Sequence, residues 1–279
     1  MLANVGRVAR VFRSFVGSVG LWLTLVALAS PAAAQDAGEK RAGPAHRLKL
    51  DLDLPIVLIA GATVSSFFFL PEAPGVACAP QCDRSKINRF DRSAAGNYDR
   101  SWTTVGDIAT LSTMALPFVV VVVDEGFKDG LNDDVVLAEA ALVTSAAQVS
   151  LSFAVERPRP RVYSVRAPLG QRDDANAARS FFSGHVANTM ATSVAALRTL
   201  QRLRQPVLAW TTFGVGVAGT GLVGVSRVLS GSHFPSDVLI GAAFGAGVGL
   251  ALPAAHERPL RLEPLASADV GGLQVSGTF

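Results

Sequence analysis

Six long apolar segments recur along this chain of 279 residues, separated by polar stretches. A helix that crosses a bilayer needs about 20 apolar residues, within a range of about 17–25, so most of the six are long enough to span. Only 17% of the residues are charged, against about 25% in ordinary soluble proteins. The pattern predicts an all-α, membrane-embedded bundle of about six helices. The segments run Leu54–Leu70, Val105–Val123, Val135–Val155, Val186–Leu200, Val207–Val225 and Val238–Ala255.

The first 34 residues have the three parts of a secretory signal peptide. Three arginines precede an apolar run, and small residues in an Ala-x-Ala pattern end at Ala34. The alternative is an uncleaved first membrane helix. The chain then divides into a polar linker at 35–53, a membrane helical domain at 54–255 and a polar C-terminal tail at 256–279.

The formal net charge of +3 originates in this leader. Its three arginines are its only charged residues, and without them 25 − 3 = 22 basic residues balance 22 acidic ones. The remaining chain therefore lacks the basic surface that nucleic-acid binding requires. We expect no nucleic-acid partner, and nothing in the sequence indicates an obligate protein partner.

Cys78 and Cys82 lie in the loop after the first apolar segment. In an exported loop this pair is expected to form a small disulfide. A metal site is the alternative, but no further Cys or His lies nearby. The sequence contains none of the usual clusters of metal ligands, so we expect no metal and no cofactor.

The orientation of the bundle in the membrane is predicted from a short basic link that holds Arg198, Arg202 and Arg204. Short basic loops remain cytoplasmic, which places the loops at 156–184 and 226–237 on the outer side. A cleaved leader would reverse this assignment if every segment crossed. We expect instead that Leu54–Leu70, the weakest span, does not fully cross.

Three polar stretches beside apolar helices contain the residues best suited to chemistry. They are Glu156–Arg161, with three arginines and two prolines; Ser180–His185, which opens a helix; and Ser226–Asp237, which enters the last helix. Taken singly, the first could be a positive membrane flank, and the others could be helix caps. The spacing of His233 and Asp237 suggests that the carboxylate accepts from the imidazole Nδ1–H and leaves Nε2 nucleophilic.

Together the three stretches resemble the superfamily of type-2 phosphatidic acid phosphatases and vanadium haloperoxidases. The resemblance covers roughly 135–255 and rests on Arg159-Pro160, on Ser183-Gly184-His185, and on Ser-Arg-x5-His-x3-Asp ending at Asp237. It implies that His233 is the nucleophile, that Asp237 orients its ring and that His185 is the general acid and base. The implied phosphate ligands are Arg159, Ser183, Gly184 and Arg227.

Two positions depart from the family pattern. The first motif begins with a lysine seven residues before Arg159, where this chain has Ser152, and the second often begins with proline, where it has Phe182. The missing lysine removes one phosphate-binding cation, which Arg157 or Arg161 would have to replace. Arg157 is therefore a further candidate phosphate ligand.

The resemblance implies a metal-independent membrane phosphatase that acts on a lipid phosphate or diphosphate through a phosphohistidine. The active site is expected at the outer membrane–water interface, with the substrate's tail in the bilayer. Two alternatives remain open: a catalytically weak or silent phospholipid-binding membrane protein, and a vanadate-dependent haloperoxidase.

Overall fold

The structure is a computed structural model that describes residues 43–66, 69, 76, 78–79 and 82–257, together with the backbone of 261–267 and 270–276. The predicted signal peptide lies outside the described residues, as do residues 35–42 of the predicted linker. The prediction of a helical membrane bundle is confirmed. Its long helices are α1 Leu50–Ser66, α2 Arg100–Glu125, α3 Phe127–Val155, α4 Gly184–Arg202, α5 Pro206–Leu229 and α6 Pro235–Glu257.

Shorter helical turns lie in the connections between the long helices. Cys78 and Cys82 are joined by a disulfide within the loop that follows α1. The turns are Arg84–Lys86 and Arg92–Ala94 before α2, and Pro160–Tyr163, Leu169–Arg172 and Ala175–Ala178 between α3 and α4.

Within the described residues, four helices are long and apolar enough to cross a membrane: α2, α3, α5 and α6. The candidate span that contains α3 continues past the end of this helix to Tyr163. α1, with 17 residues, is shorter than these four. α4 is too polar to count as a candidate membrane span, because it carries three threonines and a serine. It is nevertheless the most enclosed helix of the bundle.

The hydroxyl groups of α4 are buried with their hydrogen bonds satisfied, because each donates to a backbone carbonyl of the same helix. Thr192 donates to Asn188 O at 3.0 Å, Ser193 to Thr189 O at 2.6 Å and Thr199 to Ala195 O at 3.0 Å. A hydroxyl that is bonded to the preceding turn of its own helix needs no partner on a neighbouring helix. α4 is therefore a central helix surrounded by protein.

Glycines allow α6 to lie directly against α4. A Cβ added at Gly241, Gly245 or Gly249 would overlap the backbone carbonyl oxygens of Ser183, Ala187 and Ala191. This is the close approach that two overlapping Gly-x-x-x-Gly steps permit between helices in lipid. The contact holds the start of α4 beside the start of α6, and these two ends carry the second and third polar stretches.

The bundle has two ends with different roles. One end of the bundle holds the three polar stretches. At this end α3 and α5 finish and α2, α4 and α6 begin. Residues 43–49 lie at the other end, where Asp133 of α3 accepts from the amides of Ala45 at 2.7 Å and His46 at 2.9 Å. We call these the site end and the far end. Lys49 Nζ donates to Ala255 O at the finish of α6, 3.3 Å away, so α1 starts at the far end.

The C-terminal segment, predicted as a polar tail, contains a β-hairpin. Two strands, β1 Arg261–Ser267 and β2 Val270–Ser276, pair as an antiparallel hairpin, with Arg261 opposite Ser276 and Ser267 opposite Val270. The hairpin lies outside the helical bundle. Pro264 and the pair Gly271–Gly272 hide the alternation by which strands are normally recognised.

Candidate active site

The three polar stretches meet in one pocket at the site end. Arg161 N, in the first stretch, donates to Gly231 O in the third at 3.0 Å. Ser183 N, in the second stretch, donates to Asp237 O in the third at 3.1 Å. Backbone hydrogen bonds between residues distant in sequence therefore hold the predicted site residues together.

His233 lies in the turn that joins α5 to α6. Its amide and that of Ser232 both donate to Arg227 O, at 3.1 and 3.0 Å, which closes the end of α5. Gly231 adopts a positive φ of 76° in this turn, and a Cβ there would overlap Asn97 O. Only glycine meets both conditions, so Gly231 sets the direction in which the following histidine enters the pocket.

The hydrogen bonds of His233 fix its tautomer. Nδ1 lies 2.6 Å from Ser180 O, and a carbonyl only accepts, so Nδ1 carries the proton. Nε2 lies 3.5 Å from Arg159 Nη1, a group that only donates. Burial, followed by the charge of Arg159, holds the pKa of His233 well below its usual range. The ring is therefore neutral at pH 7, with an Nε2 lone pair directed into the pocket.

The prediction that Asp237 accepts directly from His233 was wrong. Its carboxylate accepts instead from Ser180 Oγ, from Phe234 N at 2.9 Å and from Arg157 Nη1. A spacing of four residues brings two side chains together only when both residues belong to one helix. α6 begins at Pro235, so His233 precedes the helix. Asp237 acts on His233 through Ser180, whose hydroxyl it fixes and whose carbonyl orients the imidazole.

The structure also corrects the assignment of Arg157 as a candidate phosphate ligand. Its guanidinium donates to Asp237, to Asp91 Oδ2 at 2.7 Å and to Ser236 Oγ at 2.8 Å. It also lies over the Phe234 ring, 4.4 Å from the centroid. Both carboxylate side chains are completely buried. Arg157 is an internal ion-pair residue that fixes the start of α6.

Asp91 is a member of this network that sequence reasoning missed. Burial alone would raise the pKa of its carboxyl, but hydrogen bonds from Asn88, Ser236 and Arg157 outweigh burial and lower that pKa below its usual range. The ionised form is therefore the one the fold requires. No local pattern marks Asp91, which lies 66 residues before Arg157 in the chain.

Arg159 is held beside His233 by oxygen atoms on both sides of its guanidinium. It donates from Nη1 to Ser232 O at 2.9 Å, from Nε to Asn176 O at 2.8 Å and from Nη2 to Asn176 Oδ1 at 3.1 Å. Asn176 was not singled out in the sequence. These bonds to neutral oxygens orient the guanidinium without neutralising it, so its positive charge remains available to an anion.

Two buried donors on the predicted site residues have no hydrogen-bond partner within the described part of the chain. They are Ser183 Oγ and Arg227 Nε. Ser183 is the N-cap residue of α4, yet its side chain does not cap the helix. Gly184 is the first residue of that helix, so its amide also lacks an intrahelical acceptor. An oxyanion is the kind of group that would satisfy all of these donors at once.

His185 lies at the pocket mouth, with 43% of its side chain exposed. Partial burial, followed by the charge of Arg227, lowers its pKa to about 4. Asp107 of α2 opposes this shift: its Oδ1 lies 3.8 Å from His185 Nε2 and also accepts from Arg227 Nη2. No sequence pattern marks Asp107, because it occurs in an otherwise apolar helix far from the motifs.

A cavity of about 230 Å³ adjoins Arg159 at the position of the missing lysine. Ser152 lies on its wall, with its hydroxyl donating to Val149 O at 2.8 Å. Arg179, stacked 3.8 Å from the centroid of the Phe153 ring, lines the same cavity. Arg159 and Arg179 are thus the two arginines on the wall of the vacated space. The remaining lining residues are Val64, Gln148, Val149 and Asn176.

The comparison with protein families decides the classification. The family model of the PAP2 superfamily matches residues 135–261. This region is a PAP2 superfamily region. It contains all three polar stretches and the helices that carry them, so the resemblance inferred from the motifs is confirmed.

One solved structure was matched, titled the first transmembrane PAP2-type phosphatidylglycerolphosphate phosphatase from Bacillus subtilis. The sequences are 19% identical, and the match covers 74% of this chain and 96% of that one, with a TM-score of 0.43. No curated protein matches the chain.

Proposed function

We propose that this PAP2-superfamily chain is a membrane phosphatase that hydrolyses a phosphate monoester or diphosphate on a lipid through a phosphohistidine at His233. The observation that carries the proposal is the neutral, buried His233, whose Nε2 lone pair faces Arg159 in a pocket with unsatisfied donors. Phosphoryl transfer requires a nucleophile, fixed cations and N–H donors that all act on one phosphoryl group.

In the first step, His233 Nε2 attacks phosphorus and the bond from phosphorus to the leaving oxygen breaks. The leaving oxygen takes a proton from His185. A phosphate dianion beside His185 favours its protonated form and raises its pKa from about 4. Arg159, Arg227, Ser183 Oγ and the Gly184 amide stabilise the equatorial oxygens.

In the second step, His185, now neutral, removes a proton from a water molecule that attacks the phosphohistidine. The phosphorus–nitrogen bond breaks and inorganic phosphate leaves. His233 returns to its neutral tautomer because Ser180 O holds the Nδ1 proton throughout. Asp107 is the positioning carboxylate for His185, which it faces from α2.

The location of the pocket supports a lipid substrate. It lies at one end of a bundle with four helices able to cross a membrane, and the adjoining cavity opens between α1 and α3, with Val64 and Val149 on its wall. A headgroup in this pocket can leave its acyl or prenyl tail in the bilayer. Candidate substrates are phosphatidate, phosphatidylglycerol phosphate, undecaprenyl diphosphate and the lipid A phosphates.

We further propose that the site faces the outer side of a bacterial inner membrane. The basic link between α4 and α5 lies at the far end, where Arg202 pairs with Glu257 of α6 at 2.8 Å, and short basic loops remain cytoplasmic. Residues 43–49 then lie on the inner side. Cleavage after Ala34 would leave residue 35 on the outer side, which conflicts with residues 43–49 on the inner side. We therefore propose the outer-side site for a chain whose leader is not cleaved there.

The function is tested by measuring phosphate release from the four lipid classes by the full-length protein in detergent. We expect turnover of at least one lipid, and none by the His233→Ala protein on that lipid. Lipid binding without turnover would identify the silent phospholipid-binding alternative. Halide oxidation dependent on added vanadate would identify the haloperoxidase alternative.

Phosphate release is expected to survive EDTA and to be inhibited by vanadate. The positive charge in the pocket comes from Arg159 and Arg227, and vanadate adopts the five-coordinate geometry of the phosphorus in the transition state. The measurement is kcat/KM at 25 °C before and after chelation. Loss of turnover on chelation by protein that remains folded, restored by Mg²⁺ or Zn²⁺, would contradict this mechanism.

Arg179→Ala is expected to lower kcat/KM by roughly 10–100-fold, because the cavity beside Arg159 loses its second cation. Adding Ser152→Lys to that variant should restore much of the loss, since a lysine there reaches the same space. Arg166→Ala, an exposed arginine in the same connection, serves as the matched control. Unchanged kcat/KM in Arg179→Ala would show that the missing lysine is not replaced by Arg179.

A further inference from the structure

Two carboxylates and an imidazole are buried together at the far end, away from the catalytic pocket. They are Asp53 in the first turn of α1, Glu139 in α3 and His256 in the last turn of α6. α6 has 23 residues, so its two ends, and with them the two sites, lie about 30 Å apart. The side chains come from three helices that the sequence separates by up to 203 residues.

The cluster carries more negative charge than the described neighbouring groups neutralise. Asp53, Glu139 and His256 are 8%, 2% and 4% exposed. Even a protonated His256 would leave two carboxylates facing one positive charge. The nearby cations are engaged elsewhere, with Lys49 Nζ on Ala255 O and Arg202 on Glu257. A buried carboxylate without a compensating charge is strongly unfavourable.

The ring of His256 is oriented as a metal ligand would be. Its Nδ1 lies 2.9 Å from Leu252 O, and because that carbonyl only accepts, Nδ1 carries the proton. Nε2 then faces the two carboxylates, at 2.8 Å from Asp53 Oδ1 and 3.3 Å from Glu139 Oε2. A backbone carbonyl that fixes the tautomer through one ring nitrogen is the usual support of a metal-bound histidine.

Glu139 provides a second, independent indication of a ligand. It is almost completely buried, and neither carboxylate oxygen meets a hydrogen-bond donor in good geometry among the described residues. One atom from each of the three side chains lies within 4.8 Å of the others. Two ligands of a tetrahedral Zn²⁺ lie about 3.3 Å apart when each bond is about 2.0–2.1 Å long. The 3.3 Å between Nε2 and Glu139 Oε2 matches that value, and the 2.8 Å between Nε2 and Asp53 Oδ1 would lengthen by about 0.5 Å on binding.

We propose that Asp53, Glu139 and His256 form a structural binding site for one divalent transition-metal ion, Zn²⁺ by the nature of the ligands. One imidazole and two carboxylates suit Zn²⁺, whereas Ca²⁺ and Mg²⁺ prefer sites made of oxygen alone. With a neutral imidazole, the ion cancels the charge of both carboxylates. It joins the start of α1 to α3 and to the finish of α6, and it takes no part in the phosphoryl chemistry.

The test uses full-length protein that carries a tag without histidine and the substitutions His185→Ala and His233→Ala, so that the catalytic pocket cannot bind Zn²⁺. After chelation, Zn²⁺ is added back, and the bound metal and the Tm are measured. We expect one Zn²⁺ per chain and a rise in Tm of roughly 5–10 °C at saturation. Adding Glu139→Gln should abolish both effects.

Glu257→Gln is the matched control, since Glu257 is a neighbouring carboxylate that pairs with Arg202 outside the cluster. This variant should bind Zn²⁺ and shift in Tm as its parent does. The proposal is overturned if the parent protein binds less than about 0.1 equivalent, or if Glu139→Gln binds as much as its parent. The first result would mean that a protonated His256 holds the two carboxylates instead, and the second that Zn²⁺ binds elsewhere in the chain.

Discussion

His233→Ala is expected to reduce kcat for phosphate release by about 10⁴-fold or more, because it removes the atom that bonds to phosphorus. The fold should survive, since the imidazole's polar contacts are limited to Ser180 O and Arg159 Nη1. The measurement is kcat on the best lipid substrate, with Tm recorded on the same preparations.

Ser230→Ala is the matched control for this variant. Ser230 lies in the same turn, and its hydroxyl bonds to Arg227 O at 3.1 Å and to Ser232 Oγ at 2.8 Å, without touching His233. Activity within about threefold of the wild type is expected. A His233→Ala enzyme that retained a tenth of the wild-type kcat would eliminate this residue as the nucleophile.

Arg157→Ala is expected to destabilise the protein by about 3–5 kcal/mol, the usual cost of leaving a buried charge without its partner. Asp91 and Asp237, both fully buried, would lose the cation they share. For a chain of this length the loss corresponds to a fall in Tm of about 10 °C. Thermal unfolding in detergent measures it.

The matched control is Arg161→Ala, which removes a neighbouring arginine of the same stretch. Arg161 donates to Gln171 O and lies 3.9 Å from Asp174, a half-exposed carboxylate, so a smaller loss of stability is expected. If Arg157 were instead a phosphate ligand, its substitution would lower kcat/KM and leave Tm unchanged. That result would contradict the internal role assigned to it.

The positions of the long helices and of the three polar stretches could be predicted from the sequence because both are local patterns. Apolar length marks the helices, and Ser183, His185 and His233 occur in short motifs with specific spacing. α4 shows the limit of this reasoning. It is too polar to count as a span, yet it lies at the centre because its hydroxyls bond to its own backbone.

The partners of the site residues could not be predicted, because folding brings them from distant parts of the chain. Asp91, Asp107 and Asn176 have no recognisable spacing to Arg157, His185 and Arg159. The role of Asp237 was predicted from helical spacing, whereas the histidine precedes the helix. In each case the hydrogen-bond partner was decided by packing between elements.

The most direct test of the central assignment is to trap the phosphorylated enzyme. His185→Ala, given a substrate with a good leaving group, should still be attacked by His233 but should lack the base that activates water. Rapid quenching under conditions that preserve phosphoramidates, followed by peptide mass spectrometry, locates the phosphate. The account predicts stoichiometric phosphate on His233; phosphate on Ser183, or a burst of product without any phosphoenzyme, would contradict it.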